Sequence, residues 1–83
     1  MPKGVDPITL NDVKAILRET SEGITAIELS EQTGMGRSTA RRYLEYLVSV
    51  KMLRASVKYG TVGRPERLYS LRGVYEQNGS NKK

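Results

Sequence analysis

The chain contains no cysteine and no histidine. Without cysteine there is no disulfide framework, no thiolate zinc site and no cysteine nucleophile. Without histidine the usual general base near neutral pH is missing, as is the commonest metal ligand. Together these absences exclude Ser–His–Asp catalysis, zinc hydrolysis and haem ligation by histidine. No apolar run approaches the roughly 20 residues of a membrane span, and the start does not read as a signal peptide. No pattern favours an enzyme, no cofactor is expected, and the setting reads as cytoplasmic.

What remains is 83 residues, the size of one small domain, with 37 % hydrophobic and 28 % charged residues. Fourteen Lys and Arg stand against nine Asp and Glu, a net charge of +5. The charge is divided along the chain. Residues 1–34 hold three basic and six acidic residues, whereas residues 35–83 hold eleven basic and three acidic ones. A basic second half behind an acidic start points to an acidic partner more clearly than the total does.

The hydrophobic period gives the order helix, helix, helix, hairpin. Residues 1–8, with two prolines and a glycine, read as a linker or arm. Thr9 and Asp12 resemble a capping box, and Leu10, Val13, Ile16 and Leu17 share one face, which predicts a helix from Thr9 to Arg18. A second capping box, Thr25 with Glu28, opens a helix that stops near Thr33, with Gly34 as its left-handed end. A third helix starts after Gly36 and runs towards Val50. From Leu53 the period becomes two. Leu53, Ala55, Val57 and Tyr59 alternate with polar residues as a half-buried strand, and Leu68 to Leu71 returns. Tyr59 and Tyr69 are expected on the buried side of this pair. Gly60 to Pro65 is the connecting loop. The domain spans 9–72, and 73–83 reads as a polar, disordered tail.

Ser30, Gly34 and Ala40 have the spacing of a helix-turn-helix. A small residue lets two helices approach, the glycine takes the turn, and the apolar residue plugs the second helix onto the first. The third helix then has two faces. Ala40, Tyr43, Leu44, Leu47 and Val48 form its apolar side; Ser38, Arg41, Arg42, Glu45 and Ser49 lie opposite. Charges on an exposed helix are ordinarily just solvated. Here the helix-turn-helix and the hairpin tip the reading towards nucleic acid. Guanidinium forks suit guanine O6/N7 and phosphate oxygens alike. Arg37, Ser38, Thr39 and Arg41, near the helix start, are candidates for base edges, and Arg42 for a phosphate. Lys58, Arg64 and Arg67 cluster on or beside the hairpin loop and are candidates for an adjacent groove or phosphate row. The fold class is therefore mainly α with a small β-hairpin, a winged helix-turn-helix of three helices plus a wing.

Thr39 to Leu47 (TARRYLEYL) and Tyr59 to Tyr69 (YGTVGRPERLY) resemble the C-terminal output domain of two-component response regulators of the citrate and C4-dicarboxylate type, the CitB/DcuR group. Pro2 to Asp6, followed by Ile8-Thr9-Leu10, is similar to the linker that joins receiver to output domain there. The resemblance implies sequence-specific binding of double-stranded DNA, with a receiver domain and a sensor kinase as further partners and a possible dimer on DNA. It also implies that the chain is an isolated output domain. Two positions depart from the pattern. Gly36 replaces a serine before the third helix, which removes an N-cap side-chain bond at a cost of a few tenths of a kcal/mol. Lys51 replaces a glycine after it, so that end is expected to run on or fray. The competing readings are a stand-alone winged-helix repressor and a winged helix used for protein interaction.

Overall fold

The computed structural model describes residues 3–59 and 64–72. Three helices, α1 (Pro7–Glu19), α2 (Ala26–Thr33) and α3 (Arg37–Ser49), precede two strands, β1 (Leu53–Lys58) and β2 (Glu66–Leu71). The strands pair antiparallel, with Leu53 opposite Leu71 and Lys58 opposite Glu66. This is the expected winged helix-turn-helix order.

Local chemistry sets each boundary. α1 starts two residues before Thr9. Asp6 is its N-cap, and its carboxylate accepts from the Thr9 N–H at 3.0 Å and the Thr9 hydroxyl at 3.2 Å. Pro7 follows at the first helical position, where a missing N–H costs nothing. Thr9 is thus a donor to the cap rather than the cap itself. α2 has the expected capping box: Thr25 Oγ1 accepts from the Glu28 N–H, and Glu28 accepts from the Thr25 N–H at 2.9 Å. Gly34 ends α2 in left-handed backbone at φ 84°. Gly36 precedes α3 with no side-chain cap, as expected.

The end of α3 differs from the expectation. It neither runs on nor frays, because Lys51 itself adopts φ 69°. Its N–H donates to Val48 O at 3.0 Å, and the Met52 N–H donates to Leu47 O at 2.9 Å. These are the two bonds of a Schellman stop, built here without glycine.

One apolar core joins the elements. α1 contributes Leu10, Val13 and Leu17; α2 contributes Leu29; α3 contributes Ala40, Tyr43, Leu44 and Leu47; the hairpin contributes Leu53 and Tyr69. Each buried leucine adds about 1.5–3 kcal/mol of transfer free energy. Val5, within the segment read as an arm, is also buried, and Pro7 and Ile8 belong to α1. Ile24 does more than lead into α2. It forms a β-bridge with Tyr69, with N–H···O distances of 2.8 and 2.9 Å in the two directions. That bridge fastens β2 to the helices.

The hairpin needs two corrections. β2 begins at Glu66 rather than Leu68. Tyr59 is 79 % exposed, so the alternation that buries Leu53 does not hold to the far end of β1. There the strand has left the helices behind and has no core to face. Gly60 to Gly63 of the expected loop, and the 73–83 tail, lie outside the described residues.

Candidate nucleic-acid interface

The turn between α2 and α3 is held by side chains as well as by Gly34. Ser30 Oγ donates to Met35 O at 2.7 Å, and Thr33 Oγ1 accepts from the Met35 N–H at 3.2 Å. Ala40 is fully buried. The small residue at 30 therefore serves the turn twice, by its size and by its hydroxyl.

This arrangement leaves one face of α3 open. Arg37, Ser38, Arg41 and Arg42 are exposed, and Thr39 is half-buried. They do not all point the same way. Arg37, Ser38 and Arg41 line a cleft of about 340 Å³ whose far wall is Pro65, Glu66 and Arg67. Arg42 is absent from that cleft; its side chain lies against Gly4, on the N-terminal segment. Arg64, the first described residue after the loop, is exposed at the end of the hairpin. Among the described residues, no ion pair joins Arg37, Arg41 or Arg42 to a carboxylate.

The other two candidate cations on the wing are engaged. Lys58 Nζ lies 3.1 Å from Glu28 Oε2. Arg67 Nε lies 2.7 Å from Glu45 Oε2, and its guanidinium sits over the Tyr69 ring, 5.6 Å from the centroid. The Tyr69 hydroxyl donates to the same Glu45 oxygen and accepts from Arg67 Nε at 3.3 Å. Glu45, assigned by the helical wheel to a solvated polar face, is thus the point where α3 holds β2. Both carboxylates were missed as wing partners, because they lie 30 and 22 residues from their cations and no local pattern links them.

Among the described residues, three groups titrate away from their ordinary values. The Thr25 backbone N–H holds the Glu28 carboxyl low against the opposing effect of burial, with Lys58 adding to the lowering. Burial pushes the Tyr69 phenol up, and its bond to Glu45 pushes it further. Arg67 is raised first by its bond to Tyr69 and then by the charge of Glu45.

Among the described residues there is no cluster of acidic side chains able to hold a metal ion. No described helix is long and apolar enough to cross a membrane.

The chain is similar to three kinds of named regulator. It is 54 % identical to the transcriptional regulatory protein CitT of Bacillus subtilis over 71 residues, 86 % of this chain and 31 % of CitT. It is 41 % identical to the probable C4-dicarboxylate response regulator DctR of Bacillus subtilis over 73 residues, 88 % of this chain and 32 % of DctR. It is 42 % identical to the transcriptional regulatory protein DpiA of Escherichia coli K12 over 69 residues, 83 % of this chain and 30 % of DpiA. The chain thus spans just under a third of the length of these relatives. No solved structure matches it. Residues 8–71, which run from the second residue of α1 to the end of β2, match the family described as the DpiA-like helix-turn-helix domain. With the three helices, the Gly34 turn and the hairpin all present within that match, the chain belongs to the DpiA-like helix-turn-helix family.

Proposed function

We propose that the chain binds specific double-stranded DNA as the output domain of a longer, cytoplasmic response regulator that controls genes of carboxylate transport and metabolism. The observation that carries the reading is the open face of α3, where Arg37, Ser38, Arg41 and Arg42 are exposed above a buried apolar side. The names of the relatives support the regulatory part. CitT and DpiA are transcriptional regulatory proteins, and DctR is a probable C4-dicarboxylate response regulator. Their greater length favours a longer regulator, with a receiver domain phosphorylated by a sensor kinase, over a stand-alone repressor. No catalytic step is proposed.

In this reading α3 enters the major groove. Arg37, Ser38, Thr39 and Arg41 meet base edges there, and Arg42 holds a phosphate. Arg64 reaches the adjacent groove or backbone from the wing. Lys58 and Arg67 join only by exchanging a carboxylate for a phosphate, since Glu28 and Glu45 already neutralise them.

The test is in vitro selection of DNA sites followed by titration over a range of salt. Arg42 on a phosphate, joined by Arg64 where it meets the backbone, gives a slope of log K on log[salt] of about −0.9 to −1.8, at roughly 0.9 per phosphate. Arg41→Ala should relax preference at one base position by about 1–3 kcal/mol, and Arg42→Ala should weaken all sequences alike. A palindromic selected site would report two copies on DNA. Salt-independent binding, or wild-type binding by the Arg41/Arg42/Arg64 triple alanine variant, refutes the reading.

A further inference from the structure

The segment before α1 packs on α3 at Arg42 and Tyr43. Val5 is 6 % exposed and belongs to the core. The Asp6 N–H donates to the Tyr43 hydroxyl at 2.8 Å, across 37 residues of sequence. The Asp6 carboxylate is occupied elsewhere, on the Thr9 N–H and hydroxyl. Gly4, in left-handed backbone at φ 83°, lies directly against the Arg42 side chain. A Cβ built on Gly4 would stand 2.9 Å from Arg42 Cδ and 3.0 Å from Nη1. Arg42 remains exposed while its stem and guanidinium rest on this backbone. Lys3, also exposed, is the preceding residue of the same turn.

The turn therefore brings a second cation to the flank of α3. Arg37 and Arg41 line the cleft towards the wing, while Arg42 lies against Gly4, the residue that follows Lys3. No carboxylate among the described residues forms an ion pair with Arg42 or Lys3, and Asp6 is directed to the start of α1.

We propose that residues 3–6 form a second DNA-contacting element beside α3, separate from the wing. Lys3 binds a backbone phosphate beside the one held by Arg42, and the Asp6–Tyr43 bond positions the segment to do so. This rests on the DNA-binding reading above. Lys3 contributes one sequence-independent phosphate contact. Tyr43 acts through the segment rather than by touching DNA.

The experiment uses the full chain and a mixed-sequence DNA duplex, titrated over a range of salt. Lys3→Gln should reduce the steepness of log K on log[salt] by about 0.9, with an unchanged melting temperature. Tyr43→Phe keeps the ring in the core and removes the acceptor of the Asp6 N–H. In that background the effect of Lys3→Gln should shrink. Three outcomes overturn the proposal. A steep wild-type slope that Lys3→Gln leaves unaltered refutes the segment's role alone. An effect of Lys3→Gln that is the same with and without the Tyr43 hydroxyl refutes the positioning by Tyr43. A flat wild-type slope refutes DNA binding itself and this element with it.

Discussion

Lys51 offers a way to stabilise the domain without touching any residue proposed to meet DNA. It is the one described non-glycine residue with positive φ, at 69°. The two bonds that end α3, from Lys51 and Met52 to Val48 and Leu47, require that geometry. An L-residue in left-handed backbone is disfavoured by roughly 1–2 kcal/mol, which glycine avoids. Glycine gives back roughly 0.5–1 kcal/mol through its greater freedom in the unfolded chain. Lys51→Gly should therefore stabilise the fold by about 0.5–1 kcal/mol, and raise the melting midpoint by roughly 2–8 °C for a chain of this size. Lys51→Asn, whose side chain tolerates this backbone, should gain less. Lys51→Ala removes the charge but keeps the Cβ, and should gain nothing. Thermal melts and urea titrations of the four proteins decide the matter. If the glycine protein melts at or below the wild type, or if alanine gains as much as glycine, backbone strain at Lys51 is not the source.

Two further predictions concern pH. The Tyr69 phenol is raised in the fold, so above about pH 10 the unfolded chain ionises first and stability falls as pH rises. Tyr69→Phe should start less stable at neutral pH, having lost the bond to Glu45, but should lose less on going alkaline; urea midpoints across that range show it, and parallel decline of both proteins would contradict it. Glu28 runs the other way. Its carboxyl is lowered in the fold, so its contribution is complete above about pH 4.3 and disappears as pH falls through the lower folded-state value. Glu28→Gln should flatten the acid side of the stability curve, and an unchanged acid side would show that the Thr25 and Lys58 contacts do not bias its titration.

The parts of the fold that were legible in sequence are those encoded within a few residues. Thr25 and Glu28 bond three residues apart, Gly34 carries its turn in its own backbone, and Ala40 to Leu47 repeat with the helical period. Each leaves a local mark. α1 was misread at its start because Thr9–Asp12 and Asp6–Thr9 have the same spacing. Pro7 at the first helical position distinguishes them, since proline suits that position and not the linker reading it was given. The contacts that were not legible are long-range. Glu45 reaches Arg67 and Tyr69, Glu28 reaches Lys58, and Ile24 pairs with Tyr69 only after the hairpin has folded back. Tyr59 failed for a related reason. Alternation marks which side of a strand could be buried, not how far along it the core extends.

These long-range pairs also change what the charge count means. Between residues 37 and 67 the sequence holds eight basic residues against Glu45 and Glu66. Counted as free charge, they overstate the field available to DNA. Glu45 binds Arg67 and leaves α3's own arginines alone, and Glu28, from the acidic part of the chain, binds Lys58. Both carboxylates come from the helix-turn-helix and both cations from the wing, one on each strand. With the Ile24–Tyr69 bridge and the Tyr69–Glu45 hydrogen bond they attach the wing to the rest of the domain. The same two ion pairs therefore lower the wing's free charge and fix its direction. On the DNA-binding reading proposed above, contact would therefore be concentrated at the arginines of α3 and at Arg64 at the end of the hairpin, rather than at Lys58 and Arg67.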